Sequence, residues 1–129
     1  MTLKIFSKKN QNKKKTLSPE SEKMFKQIRV DLLGAASLII NKENWCQRAM
    51  ARNVAGEQLF YPKDETATQW DILGALHKVD ATKYTFTFLR IAAKLSGYQD
   101  IDRLNDFSSH EMVLLFFDAV FAELGDKLS

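Results

Sequence analysis

ATKYTFTFLRIAAKLS, residues 81–96, is the stretch on which the fold class turns. Tyr84, Thr85, Phe86, Thr87 and Phe88 alternate aromatic and β-branched residues, the signature of a strand. Over the longer window, however, Tyr84, Phe88, Ile91, Ala92 and Leu95 recur at four, seven, eight and eleven residues, and Gly97 stands where a helix C-terminus favours glycine. The longer period predicts a helix. With that choice no strand remains along the chain, and the expected class is all-α: a compact bundle of about five helices.

Punctuation elsewhere supplies the other four. Ser18 followed by Pro19, Glu20 and Glu22 is a strong helix start. Met24, Phe25, Ile28, Leu32, Ala35, Ala36 and Ile39 then keep to one side as far as about Ile40. A short helix is expected from about Trp45 to Asn53, closed by Gly56. Thr66 with Gln69 reads as a capping box for a third helix reaching Val79, on which Gly74 would admit a close neighbour. Residues 97–107 read as a loop, and Ser108 with Glu111 as the cap of a last helix ending near Leu124.

That last helix is apolar around nearly its whole circumference. Complete cover must come either from the other helices or from a second copy of the chain, with Phe116, Phe117 and Phe121 as the interface residues of such a homodimer.

Hydrophobic residues make up 45% of the chain and charged residues 27%, which excludes a disordered protein, and 129 residues suit one domain. The charge is divided unevenly. Residues 1–17 hold Lys4, Lys8, Lys9, Lys13, Lys14 and Lys15 and no acid, so residues 18–129 carry 13 basic against 16 acidic residues. The division expected is a flexible basic tail, 1–17, and a helical domain, 18–129. The tail suits an anionic partner, nucleic acid among them, although its lack of arginine argues against base-specific readout. No apolar run reaches the length of a membrane span, and no secretory-type segment opens the chain, so cytoplasmic location is the expectation.

Chemistry-bearing motifs are scarce. Cys46, His77 and His110 stand apart, without the paired spacing of a metal site, and His110-Glu111 lacks the second histidine of the helical zinc motif because Leu114 occupies that place. Cys46 with His77 is the sole nucleophile–base pairing on offer. The five glycines are scattered, so no phosphate-cradling loop is present and no cofactor is implied. The residues to watch are Trp45, Gln47, Arg48, Arg52, Trp70, Asp71, Asn105 and Asp106. Tryptophan and arginine among amides and acids suit a ligand pocket or a peptide groove. The alternative is structural: buried tryptophans, Arg52 paired with Asp71 or Asp106, and an Asn-Asp turn.

Trp45 to Arg52 closing at Gly56, Trp70 to Leu76, and Leu104-Asn105-Asp106 leading to Met112-Val113 and Asp118-Ala119 together resemble a family of small bacterial and phage proteins that is a domain of unknown function. The resemblance covers about residues 26–124. It implies a compact helical domain with a helix at 81–96, and it supplies no activity or catalytic residue. The reading leans against an enzyme and towards a non-catalytic binding or regulatory protein acting by protein–protein contact. A small enzyme or ligand-binding domain built on the Trp/Arg/Asp cluster, and a nucleic-acid-binding accessory protein, are the alternatives.

Overall fold

Ser18 opens the first helix, α1 (Pro19–Leu38), as its N-cap, the hydroxyl accepting from the Ser21 N–H at 3.1 Å. The computed structural model describes residues 16–129. Lys4, Lys8, Lys9, Lys13, Lys14 and Lys15, and with them the expectation of a flexible tail, lie outside the described residues. The buried side of α1 carries Ile28, Leu32 and Ala35 and also a carboxylate, Asp31.

A single 3-10 turn at Lys42–Asn44 leads to three short strands, β1 (Ala51–Asn53), β2 (Gln58–Leu59) and β3 (Ala67–Trp70). They form one antiparallel sheet in the order β2-β1-β3. Four helices follow: α2 (Ile72–Lys78), α3 (Lys83–Leu95), α4 (Ile101–Asp106) and α5 (His110–Leu128). One continuous core joins Ile28 and Leu32 to Ile72, Leu76, Leu89, Leu104, Val113 and Val120, with α1 packed on α2, α3 and α5.

The fold is therefore mixed helix and sheet, not all-α. The helix at 81–96 forms as α3, with Phe88, Leu89, Ala92 and Ala93 inward. The error lies in residues 45–70. The helix expected over Trp45–Asn53 does not form, because Arg48 takes a left-handed φ of 63° and the chain is drawn into backbone pairing: the Cys46 N–H donates to Trp70 O at 3.1 Å, and β1 pairs on both sides. Gly56, instead of closing a helix, turns a hairpin at a φ of 81°, where a β-carbon is strained. Asn53 braces that turn by accepting from the Glu57 N–H and donating to the Glu57 carboxylate.

Thr66 is not a helix cap either. Its N–H and hydroxyl both donate to Asp64 Oδ1, and residues 67–70 are strand; the cap of α2 is Asp71, which accepts from the Gly74 N–H at 2.6 Å. The 97–107 loop contains α4, capped by Asp100, and α5 is capped by Ser109, one residue beyond the expected Ser108. Strands of two to four residues are shorter than the window in which alternation is visible.

On α5, Phe116 and Phe117 are buried within the single chain, while Phe121 is half-buried against the core. Cover for the apolar helix thus comes from the chain's own elements at the first two of the three residues expected at an interface. No helix among the described residues is long and apolar enough to cross a membrane.

Candidate functional site

The eight residues singled out from sequence come from three places: the irregular segment before β1, the β3–α2 junction, and the end of α4. Asn105 joins most of them. Its side chain is 1% exposed, and all four of its ordinary hydrogen bonds are made. Oδ1 accepts from the Trp45 indole N–H at 2.8 Å and from the Ile72 N–H at 3.1 Å. Nδ2 donates to Cys46 O and to Asp106 Oδ1, each at 3.1 Å.

Gln47 works beside it. Its Nε2 lies within 3.1 Å of three carbonyl oxygens at the close of α4, those of Asn105, Asp106 and Ser108. The first two are carbonyls that a helix end leaves without intrahelical donors. Asp106 accepts in addition from the Arg48 N–H at 2.8 Å, fixing the residue held in the left-handed conformation. Arg52 pairs with neither Asp71 nor Asp106: its guanidinium donates to Gly56 O and Gln47 O, within the hairpin's own segment. Trp70 turns away, its indole N–H donating to Pro62 O at 2.8 Å.

The electrostatics at this joint are unusual. Asp71 is buried; desolvation raises its carboxyl, the Gly74 N–H pulls it down, and the charges of Asp102 and Asp106 push it up, so that it stands at about 7. Asp102 is raised as well, by burial first and then by Asp106 and Asp100. Burial, with a contribution from Asp71, pushes the Cys46 thiol up to about 12, so it is a poor nucleophile. Its proposed base, His77, is exposed and packs on the Phe86 ring at 5.0 Å. His110 lies at 2.7 Å from Ile39 O, tying the start of α5 to the end of α1. Among the described residues no group of three His, Cys, Asp or Glu is placed to hold a metal ion.

Close packing completes the joint. A β-carbon at Gly74 would stand 1.7 Å from Met50 O, so glycine there admits the backbone entering β1, a strand approach where the sequence suggested a helix. The cluster thus brings together Trp45, Gln47, Arg48, Asn105 and Asp106, with Asp71 alongside. Most of the polar atoms that a ligand would need are already bonded to one another.

Sequence reasoning passed over a different feature. Phe60 is 92% exposed and Tyr61 73%, with Val54 of the hairpin tip also in solvent. The segment that follows Phe60 is nonetheless held. Trp70 pins Pro62, the Asp64 N–H donates to Tyr61 O, Asp64 anchors Thr66, and Lys63 pairs with Asp80. Two aromatics before a proline in an otherwise polar connection were the available signal.

The fold and its central joint define a small helix-and-sheet domain whose polar cluster serves as an internal tie. The chain belongs to a family of unknown function, DUF6197, whose model matches residues 24–123, a span that includes all eight residues singled out from sequence. No curated protein and no solved structure matches the chain.

Proposed function

We propose that this chain is a non-catalytic binding protein that acts by protein–protein contact, offering the loop after β2 to an apolar pocket on its partner. The observation that carries this reading is the pair Phe60 and Tyr61, large apolar side chains in solvent at the start of a segment held at Tyr61, Pro62, Lys63 and Asp64. Aromatic side chains on a pre-ordered backbone lose little entropy on docking and supply most of the energy of a small interface. The mutual pairing within the Asn105 cluster supports the same reading, since it leaves few polar groups free for a substrate. The lysines of residues 1–17 add electrostatic attachment to an anionic partner, an effect that salt weakens.

The test uses the full chain with a photo-crosslinking phenylalanine analogue at position 60. It should capture one protein repeatedly, and Phe60→Ser/Tyr61→Ser should weaken that complex by roughly tenfold or more with the thermal midpoint unchanged. Equal binding by the double variant would overturn the reading.

A further inference from the structure

On the face of α1 turned away from the core the N-terminal half carries Glu22, Lys23, Lys26 and Arg29, whereas the C-terminal half is apolar where a helix with no further partner would be polar. Val30 is 61% exposed, Leu33 53%, and Ile40, just past the helix end, 58%. Val30, Leu33 and Ser37 stand at spacings of three and four along α1, the seam by which one helix packs along another, and Ile40 follows just beyond the C-cap Ile39. Between Val30 and Ile40 the sole charged residue is Asp31, and it is buried on the opposite side. This half of the exposed face is therefore free of charge.

We infer that this seam pairs with a second copy of itself, α1 antiparallel to α1 about a two-fold axis between Leu33 and Ser37. In that arrangement Leu33 meets the partner's Ser37 and Val30 meets the partner's Ile40, so a charge-free segment faces a charge-free segment and no like charges oppose. The other exposed helical stripe does not suit a second copy. Tyr84, Ile91 and Leu95 on α3 are flanked by Lys83, Arg90 and Lys94 with no acidic residue in the helix, so two copies would repel. The Phe60–Tyr61 loop protrudes and fits a concavity, whereas a ridge at seam spacing fits a ridge.

The extent is also adequate for a weak dimer. The uncharged part of that face runs from Val30 to the helix end at Leu38, about 13 Å, so the pairing recruits its flanks to reach roughly 1,000 Å² in total. That is the lower end of what a specific interface needs.

Sedimentation equilibrium on the full chain, over roughly a hundredfold range of concentration reaching the millimolar, should show the mass rise from 14.8 kDa towards twice that value. Leu33→Glu, at an exposed position, should hold the mass at the monomer value with the thermal midpoint retained. Leu33→Glu/Ser37→Lys should restore the dimer, because the antiparallel register sets each glutamate against the partner's lysine. Phe60→Ser/Tyr61→Ser should dimerise as the parent does, which separates this inference from the loop reading. A monomer at every concentration, a dimer indifferent to Leu33→Glu, or a double variant that stays monomeric would each overturn it.

Discussion

Two of the buried polar joints that hold this domain are built from opposite chemistry. Between α1 and α3 a single carboxylate gathers donors: Asp31 accepts from Gln27 Nε2, from the Thr82 N–H and hydroxyl, and from the Thr85 hydroxyl. Thr82 is the N-cap of α3 but makes no side-chain cap bond of its own, so a residue of α1 meets the positive end of α3 in its place. At the other joint a neutral amide, Asn105, both accepts and donates, linking residues 45, 46, 72 and 106. A carboxylate suits a point where only N–H and O–H groups converge. An amide suits one where donors and acceptors both need partners.

The same contrast separates two buried aspartates. Burial raises both carboxyls. At Asp31 four hydrogen bonds outweigh it and the pKa falls below 3.8, whereas at Asp71 one backbone N–H is opposed by Asp102 and Asp106 and the pKa rises to about 7. Burial alone does not fix the direction; the count of donors against neighbouring negative charge does.

The sharpest break would come at the tighter joint. Gly74→Ala forces an atom into the Met50 carbonyl and should cost about 5 kcal/mol, leaving little folded protein by circular dichroism. Retained stability would mean that the β1 entry is not packed there. Next, Asn105→Ala should cost on the order of 4 kcal/mol and Asp31→Ala about 3 kcal/mol, measured by urea unfolding, since each strands several buried groups. Asn105→Asp and Asp31→Asn should both fail to rescue, one placing an acceptor against Cys46 O and the other lacking the second carboxylate oxygen. Rescue by either exchange would dissolve the contrast between the joints.

Stability also turns on pH. Asp71 has its folded-state pKa raised, so between about 4 and 7 the folded chain holds a proton that the unfolded chain has lost, and stability falls as pH rises through that window. The loss should reach about 4 kcal/mol across the whole window and should flatten in Asp71→Asn, which keeps the oxygen that caps Gly74. Asp31 acts in the reverse sense. Its stabilisation is present above the ordinary 3.8 and disappears as pH falls through its lower folded value, so Asp31→Asn should blunt the acid limb of the curve. Parallel pH curves for parent and both variants would refute the assignment.

Much of the helical frame was legible without coordinates. Ser18-Pro19 opened α1, the period of 81–96 decided helix against strand, and the apolar α5 announced the core; each signal is local, carried by residues within a few turns of one another. Trp45, Gln47, Arg48, Asn105 and Asp106 were legible as candidates through their types, whereas Arg52 and Trp70, chosen on the same ground, bond elsewhere. Asp31 escaped notice because a lone acid on a helix reads as surface until its donors, 51 and 54 residues away, are in place.

The sequence by itself determined the local order of α1, α3 and α5 and the division of charge between residues 1–17 and the rest, and it drew Trp45, Gln47, Asn105 and Asp106 together by residue type alone. Tertiary structure alone decided that residues 51–70 form a sheet, that Asn105 ties the chain together, and that Phe60 and Tyr61 face solvent. Strands of two to four residues carry too little pattern to declare themselves, and their stability comes from pairing with distant backbone. Whether an aromatic is core or surface depends on which elements arrive to cover it, and that is settled only when the whole chain has packed.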